Sequence, residues 1–414
     1  MTLAATGFNR TTHEDPASLI GIAALAKMAF DRIDLEPLRQ RLIDRVFKNP
    51  RDTAALMDLS AIKQLSGRRD DGLRLQAQAL AENRLYRRPP TAAGAPALRL
   101  LAFMAPGDFM ANAPLEFLLE GSNITLDLLY VVPGQDQPAN IPAHDLAIVA
   151  VGESDDNRPV LRDVAALIRS WPRPVLNAPG RIGRLSRDTA STLLDATAGT
   201  AIPLTTRIER TQLAQISGGD ATIEATLSGS TFPIIARPIG SHAGDGLSKL
   251  DNAAAVAVYL EGRSEAEFYI SPFVDYRSAD GLFRKYRIAL IDGRPYASHM
   301  AISQHWMVHY LNAGMTDSAA KRAEEAGFME AFDNAFAVKH ASALRAIAER
   351  VGLEYFAVDC GETPDGRLLL FEADVAMIVH AMDPPDMFPY KAPQMRKVFD
   401  AFHAMLRNHA RRRH

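Results

Sequence analysis

Residues 354–374 constrain this chain more than any other stretch. Val358-Asp359-Cys360 leads into Thr363-Pro364-Asp365-Gly366, and Arg367-Leu368-Leu369-Leu370-Phe371-Glu372-Ala373-Asp374 follows. Two apolar runs around Asp-Gly spell a β-hairpin. Glu372 and Asp374 are two apart, so in a strand they share a face. If the loop is the two-residue Asp365-Gly366 turn, Asp359 and Glu372 are equidistant from it, and Asp359 joins that face. A three-residue bulged loop built on Pro-Asp-Gly shifts the register by one and spoils the alignment, so an even loop is the condition. Three converging carboxylates repel one another unless a cation sits between them. Mg²⁺, a hard ion that seeks carboxylate oxygen and bridges to phosphates, suits Asp359, Glu372 and Asp374. The plain alternative is a polar hairpin face in water.

Composition sets the surroundings. The 414 residues are 47% apolar and 23% charged, an ordinary soluble globular balance with length for two to four domains. A net charge of −3 supplies no bulk field for nucleic acid or an anionic membrane. The single cysteine, Cys360, excludes an intrachain disulfide framework and suits a reducing cytosol. No apolar run approaches the roughly 18 residues of a membrane span, and no signal-peptide pattern opens the chain. A cytoplasmic protein is expected. Residues 1–16 read as a loose polar lead-in and 407–414 as a solvated basic end.

Residues 17–90 read as helical. Small and apolar residues across 48–81, with Gly67 at a turn, are similar to one tetratricopeptide unit. That segment, 1–90, is expected either to cap the following domain or to dock a protein or peptide partner. Residues 87–96, rich in Arg, Pro, Ala and Gly, read as a linker. A βαβ rhythm follows, with strands near 98–104, 124–132, 146–151 and 174–177, and implies an open parallel sheet over 97–185. Ligands of such sheets sit beyond the carboxyl ends of the strands, here 106–112, 152–157 and 177–180. No G-x-G-x-x-G is present, so no dinucleotide site is expected. A smaller unit spans 186–270. Its strand 232–236 runs into Arg237-Pro238-Ile239-Gly240-Ser241-His242-Ala243-Gly244-Asp245-Gly246, a glycine-rich loop able to curl its N–H groups around an anion. A last unit, 271–414, opens on Ser271-Pro272-Phe273-Val274 and carries a second hairpin, 284–302, around Asp292-Gly293. Lys285 and Arg287 share a face of its first strand. Residues 303–310 concentrate His305, Trp306, His309 and Tyr310 in an irregular stretch of the kind that lines sites.

In this order the parts of residues 98–400 resemble the ATP-grasp ligases, the superfamily of D-alanine–D-alanine ligase and glutathione synthetase. The resemblance implies an α/β and α+β fold: a Rossmann-like pre-grasp domain, a small lid and a larger domain, here preceded by the helical segment. It implies ATP and Mg²⁺ as cofactors. Asp359, Glu372 and Asp374 match the family's Asp and Glu-x-Asn metal ligands, with Asp374 in the asparagine's place. Gly240, Ser241, His242, Ala243 and Gly244 match the lid loop. Ser271, Pro272, Phe273 and Val274 match the adenine hinge, and Arg287 the phosphate-side arginine. Arg237 stands where the lid strand carries lysine. A second phosphate lysine has no match, and Arg181, Arg184 and Arg187 are the candidates. The implied activity is ATP-dependent activation of a carboxylate as an acylphosphate, followed by attack of an amine or similar nucleophile. Lys285, His305, Trp306, His309 and Tyr310 are then the acceptor residues. Small-molecule or peptide acids and amines are the expected partners, with homodimerisation left open. A nucleotide-sensing docking module and a kinase on the same fold are the alternatives.

Overall fold

The computed structural model describes residues 17–241 and 244–412. His242 and Ala243 of the glycine-rich loop, and the polar lead-in 1–16, lie outside the described residues. The architecture is mixed α/β, with three sheets.

Helices Ile22–Phe30, Glu36–Lys48, Thr53–Leu65 and Arg69–Glu82 come first. Gly67, at φ +74°, makes the turn between the last two, and Asp52 caps Thr53–Leu65 by accepting from Ala55 N–H at 3.0 Å. One face of this bundle packs on itself through Leu25, Leu42, Leu59 and Ile62. The other, with Leu56, Met57 and Leu80, joins the core of the first sheet.

Helix does not run through to residue 90, and 87–88 are not linker. Leu85–Arg88 is a strand. The first sheet has the order Ala17–Ser18, Leu85–Arg88, Ile124–Tyr130, Leu98–Met104, Leu146–Val149, Val175–Leu176. Only the pairing of Leu85–Arg88 with Ile124–Tyr130 is antiparallel. The two arginines look unsuited to a sheet until their partners are seen. Arg87 meets the fully buried Asp127 through two bonds of 2.7 and 3.1 Å, and Arg88 meets Glu116 at 3.1 Å. Composition cannot show such long-range neutralisation.

The second sheet is antiparallel, in the order Ser248–Leu250, Ile234–Pro238, Glu267–Pro272, Thr206–Glu209. Helices Arg210–Gly218 and Ala253–Glu261 cover it, with Leu213, Ile216, Val256 and Phe268 between. The third sheet has the order Arg294–Ser303, Phe283–Ile291, Tyr355–Glu362, Leu368–Asp374, Thr200–Ala201. The long helix Lys391–Arg411 packs on it through Val398, Phe399 and Phe402. No helix among the described residues is long and apolar enough to cross a membrane.

Candidate functional site

Four strands of the third sheet line up one residue each. His299 pairs with Arg287, Arg287 with Asp359, and Asp359 with Glu372. Asp359 does face Glu372, but not through an even loop. Thr363 N–H donates to Arg367 O at 3.0 Å and Gly366 N–H to Thr363 O at 2.8 Å, which closes a three-residue loop, Pro364-Asp365-Gly366, with Gly366 at φ +82°. That loop pairs Cys360 with Leu370, one residue out of step. Phe371 is then the extra residue of a β-bulge, and the register recovers at Asp359 and Glu372. Gly361 permits this: a Cβ there would meet the Phe371 ring at 3.1 Å and Tyr276 at 3.0 Å.

Within the row Arg287 and Asp359 are opposite charges, and Asp359 and Glu372 are like charges. Asp359, 4% exposed, accepts from Lys285 Nζ at 2.9 Å and from Arg287 Nε and Nη2 at 2.8 and 3.0 Å. Burial alone would raise its carboxyl; Arg287 and Lys285 override burial and hold it well below the usual carboxylate range. The third side of the Arg287 guanidinium donates to Ile378 O at 2.9 Å. Glu372 faces Arg187, the first residue of helix Arg187–Leu193, at 2.6 Å, and Arg187 also donates to Phe371 O at 3.1 Å. Burial raises the Glu372 carboxyl less than Arg187 and Arg237 lower it. Asp374 differs. Burial and the Glu372 charge push it up to about 7, against the bond it accepts from Ala376 N–H at 3.1 Å. Glu153, at the carboxyl end of the first sheet, is likewise pushed up to about 7, first by burial and then by carboxylates including Asp374. Its Oε1 is buried with no hydrogen-bond partner among the described residues, and Arg158 stands 3.9 Å off.

Lys285, Arg287, Asp359, Arg187, Glu372 and Asp374 line a cleft of about 650 Å³ between the second and third sheets. Arg237, on the strand Ile234–Pro238 and 8% exposed, lines it from the second sheet. Burial and then Arg187 bring its guanidinium down to about 10. Ser241 folds back to hold Arg237, its Oγ accepting at 3.2 and 3.1 Å. Gly240 is exposed and lies outside the cleft lining, whereas Gly244 lines it. Gly244 has φ +81°, and a Cβ on it would stand 3.2 Å from Met307 Sδ, so the loop reaches across to the opposite wall. Ser271, Pro272, Phe273 and Val274 line the same end. Phe273 N–H donates to Pro233 O at 3.0 Å, and its ring packs edge-on against Trp306 with Lys249 over its face at 4.7 Å.

The structure brings Trp306, His309 and Tyr310 into the cleft but leaves His305 exposed outside it. The His305 backbone N–H donates to Ser303 Oγ at 3.0 Å. Of the three loose arginines only Arg187 reaches the cleft; Arg181 bonds Gly352 O instead. Residues that sequence reasoning missed include Glu153, His299, His380, Asp383 and Lys391, all but Glu153 in the cleft lining. Lys391 is buried against Tyr310 Oη, with Asp383 at 3.0 Å and the fully buried Glu325 at 3.3 Å. Glu153 follows a strand end in the 152–157 loop, so that signal existed. His299 had none: counting back from Asp292-Gly293 sets Ser298 opposite Arg287, and a bulge at Ser298 moves His299 there.

Among the described residues no three His, Cys, Asp or Glu side chains are gathered as a metal cage. Asp359, grouped with Glu372 and Asp374 by the sequence reading, has both oxygens bonded to protein cations. Glu372 and Asp374 fit a hard divalent ion better. They are neighbouring carboxylates in the cleft wall, and burial with the Glu372 charge raises Asp374.

No protein-family model and no curated protein matches this sequence. Among solved structures, the chain is similar to the VanG D-Ala:D-Ser ligase of Enterococcus faecalis, at 14% identity over 75% of this chain and 99% of that one, with a TM-score of 0.45. It is similar to the D-alanine–D-alanine ligase of Bacillus anthracis complexed with ATP, at 12% identity over 77% and 100%, TM-score 0.44. A third likeness is to a RimK domain ATP-grasp protein of Sphaerobacter thermophilus, at 15% identity over 74% and 99%, TM-score 0.39.

Proposed function

We propose that this protein is an ATP-dependent ligase of the ATP-grasp kind, which activates a substrate carboxylate as an acylphosphate for attack by an amine or similar nucleophile. The observation that carries the reading is the cross-strand row ending in Glu372, with Asp374 beside it, beneath the lid cation Arg237. The adenine rests along Ser271, Pro272, Phe273 and Val274, in the cleft that Gly244 also lines. Arg237 and Arg187 offer positive charge to the phosphates from above and from the side. Arg237 replaces a lysine with a different reach; Ser241 holds its Nε and Nη2, which leaves Nη1 for the phosphates. Glu372 and Asp374 would hold Mg²⁺, which supplies charge neutralisation at the phosphoryl group.

The chain's own part is positioning and exclusion. Lys285 keeps N–H donors for the acceptor carboxylate while it holds Asp359. Arg287, clamped on two sides, fixes Lys285 and Asp359 in place rather than moving to substrate. The contact of Gly244 with Met307 lets the lid close water out of a site whose acylphosphate would otherwise hydrolyse.

Glu372→Gln tests the reading. Phosphate release from ATP should fall about a thousandfold, in the range for losing one transition-state charge contact, while the fold, read by circular dichroism, stays intact. ATP consumption equal to wild type would remove the assignment. The rival, nucleotide binding without turnover, draws on Asp359 being matched by protein cations; it expects saturable ATP binding and no phosphate release with any acid and amine offered.

A further inference from the structure

The end of the cleft away from the lid combines one charged point with an apolar wall. At its base the Lys285 ammonium gives one of three donors to Asp359, at 2.9 Å. His299, His309 and His380 line the cleft near it. Burial, with nearby Lys and Arg charges, lowers all three imidazoles and keeps them neutral. Beyond them the lining turns apolar. Of the chain's fourteen methionines, Met110, Met377 and Met382 are in it. Phe30 and Leu311 also line it and remain 39% and 81% exposed. Single exposed apolar residues are ordinary. Flexible thioethers lining the same cleft as an exposed phenyl ring and leucine make an adaptable binding surface.

Phe30 is the member that the ligase parts do not supply. It ends the helix Ile22–Phe30 of the N-terminal bundle, and the start of that helix is clasped. Asp58 accepts from Ile20 and Gly21 N–H at 3.0 and 3.1 Å, and Glu116 from Ile22 and Ala23 N–H at 3.2 and 3.1 Å. Phe117, next to Glu116, sets its ring 6.2 Å from His380, which lines the cleft. A helix of that length spans roughly 13 Å, so the clasp at one end fixes where Phe30 stands at the other.

We propose that this end of the cleft takes a carboxylate that carries an extended apolar group, with the carboxylate at Lys285 and the apolar part along the methionines to Phe30. The N-terminal helices are then part of acceptor selection. The inference names an acceptor class for the ligase reading and rests on that reading for which group reacts; binding itself needs no turnover.

Straight-chain carboxylates from butyrate to decanoate, titrated with ATP and Mg²⁺ present, provide the test. Trp306 lines the cleft, so its fluorescence reports occupancy, and Trp306→Phe supplies the blank. A fully buried methylene tightens binding about fourfold, the equivalent of ~0.8 kcal/mol. Octanoate should therefore bind at least about tenfold tighter than butyrate. Phe30→Ala should weaken octanoate about fivefold or more and leave butyrate and ATP within about twofold. Phe47→Ala, 88% exposed on the same bundle and outside the cleft lining, should change nothing. A parallel titration of N-acetylleucine against N-acetylglycine separates a peptide-like from an acyl-chain acceptor, the tighter ligand naming the source. Equal affinity along both series, no saturation up to about 10 mM octanoate, or full octanoate affinity in Phe30→Ala overturns the proposal. Since phosphate release is not read, these outcomes leave the Glu372→Gln result to judge the ligase reading separately.

Discussion

Two hairpins of one sheet turn on the same dipeptide and do it differently. At Asp292-Gly293 both residues have positive φ, +46° and +75°, and Ile291 pairs directly with Arg294. That is the two-residue turn whose twist matches its strands. At Asp365-Gly366 only the glycine is left-handed, and the preceding Pro364 is drawn into the loop. Proline cannot donate to a ladder, so the strand cannot continue through it. Each outer strand then carries one bulge, Ser298 in the first hairpin and Phe371 in the second, and both flank the row His299–Arg287–Asp359–Glu372. The turns alone did not align that row. The local irregularities did, which is a common use of bulges beside sites.

The buried acid at the centre of the row carries the largest expected effect. Asp359→Asn strands Lys285 and Arg287 without their counter-charge and should cost about 3–5 kcal/mol of stability in urea unfolding. Glu372→Gln, across the same pair but 33% exposed against Arg187, should cost under about 1 kcal/mol. Two acids in one cross-strand pair would then differ severalfold, the inner one structural and the outer one left for function. Acid sharpens this. The folded Asp359 carboxyl lies below its unfolded value, so its contribution is present above about pH 4 and is lost as pH falls further. The wild-type and Asp359→Asn stability curves should therefore converge below about pH 4; a constant gap down to acid pH would contradict the ion-pair account.

Smaller effects separate the two bulges and the two turns. Phe371→Ala loses a half-buried ring 5.0 Å from Tyr276 and should cost about 1–2 kcal/mol, whereas Ser298→Ala should stay within about 0.5 kcal/mol. Gly366→Ala and Gly293→Ala each place a Cβ on a left-handed residue and should cost about 1 kcal/mol, read as a shift in the urea midpoint. Pro364→Ala, acting on the unfolded chain, should cost about 0.5 kcal/mol. A cost at Pro364 as large as at Phe371 would mean that the loop, not the bulge, holds the register.

The legible parts were those written in short range. Apolar runs with turn residues announced the parallel strands Leu98–Met104, Ile124–Tyr130 and Leu146–Val149 and both hairpins. Glu372 and Asp374 share a face because side chains alternate along a strand. The illegible parts depend on partners distant in sequence. Leu85–Arg88 read as helix end and linker because its neutralising acids, Asp127 and Glu116, lie some forty and thirty residues away. His305 and Tyr310 read alike, yet only Tyr310 turns inward, where its hydroxyl donates to Glu325 and accepts from Lys391 Nζ.

The amino-acid order by itself determined the two Asp-Gly turns, the acids on the second hairpin, the cations Lys285 and Arg287 on the first, and the glycine-rich loop after Arg237. Alternation, turn chemistry and charge are properties of near neighbours. Only the tertiary structure decided that Asp359 is matched by Lys285 and Arg287, that Arg187 reaches Glu372, that Asp374 and Glu153 are pushed up to about 7, and that Phe30 enters the cleft. Those outcomes follow from one-residue shifts in register and from burial, and both are settled by packing between segments far apart in the chain.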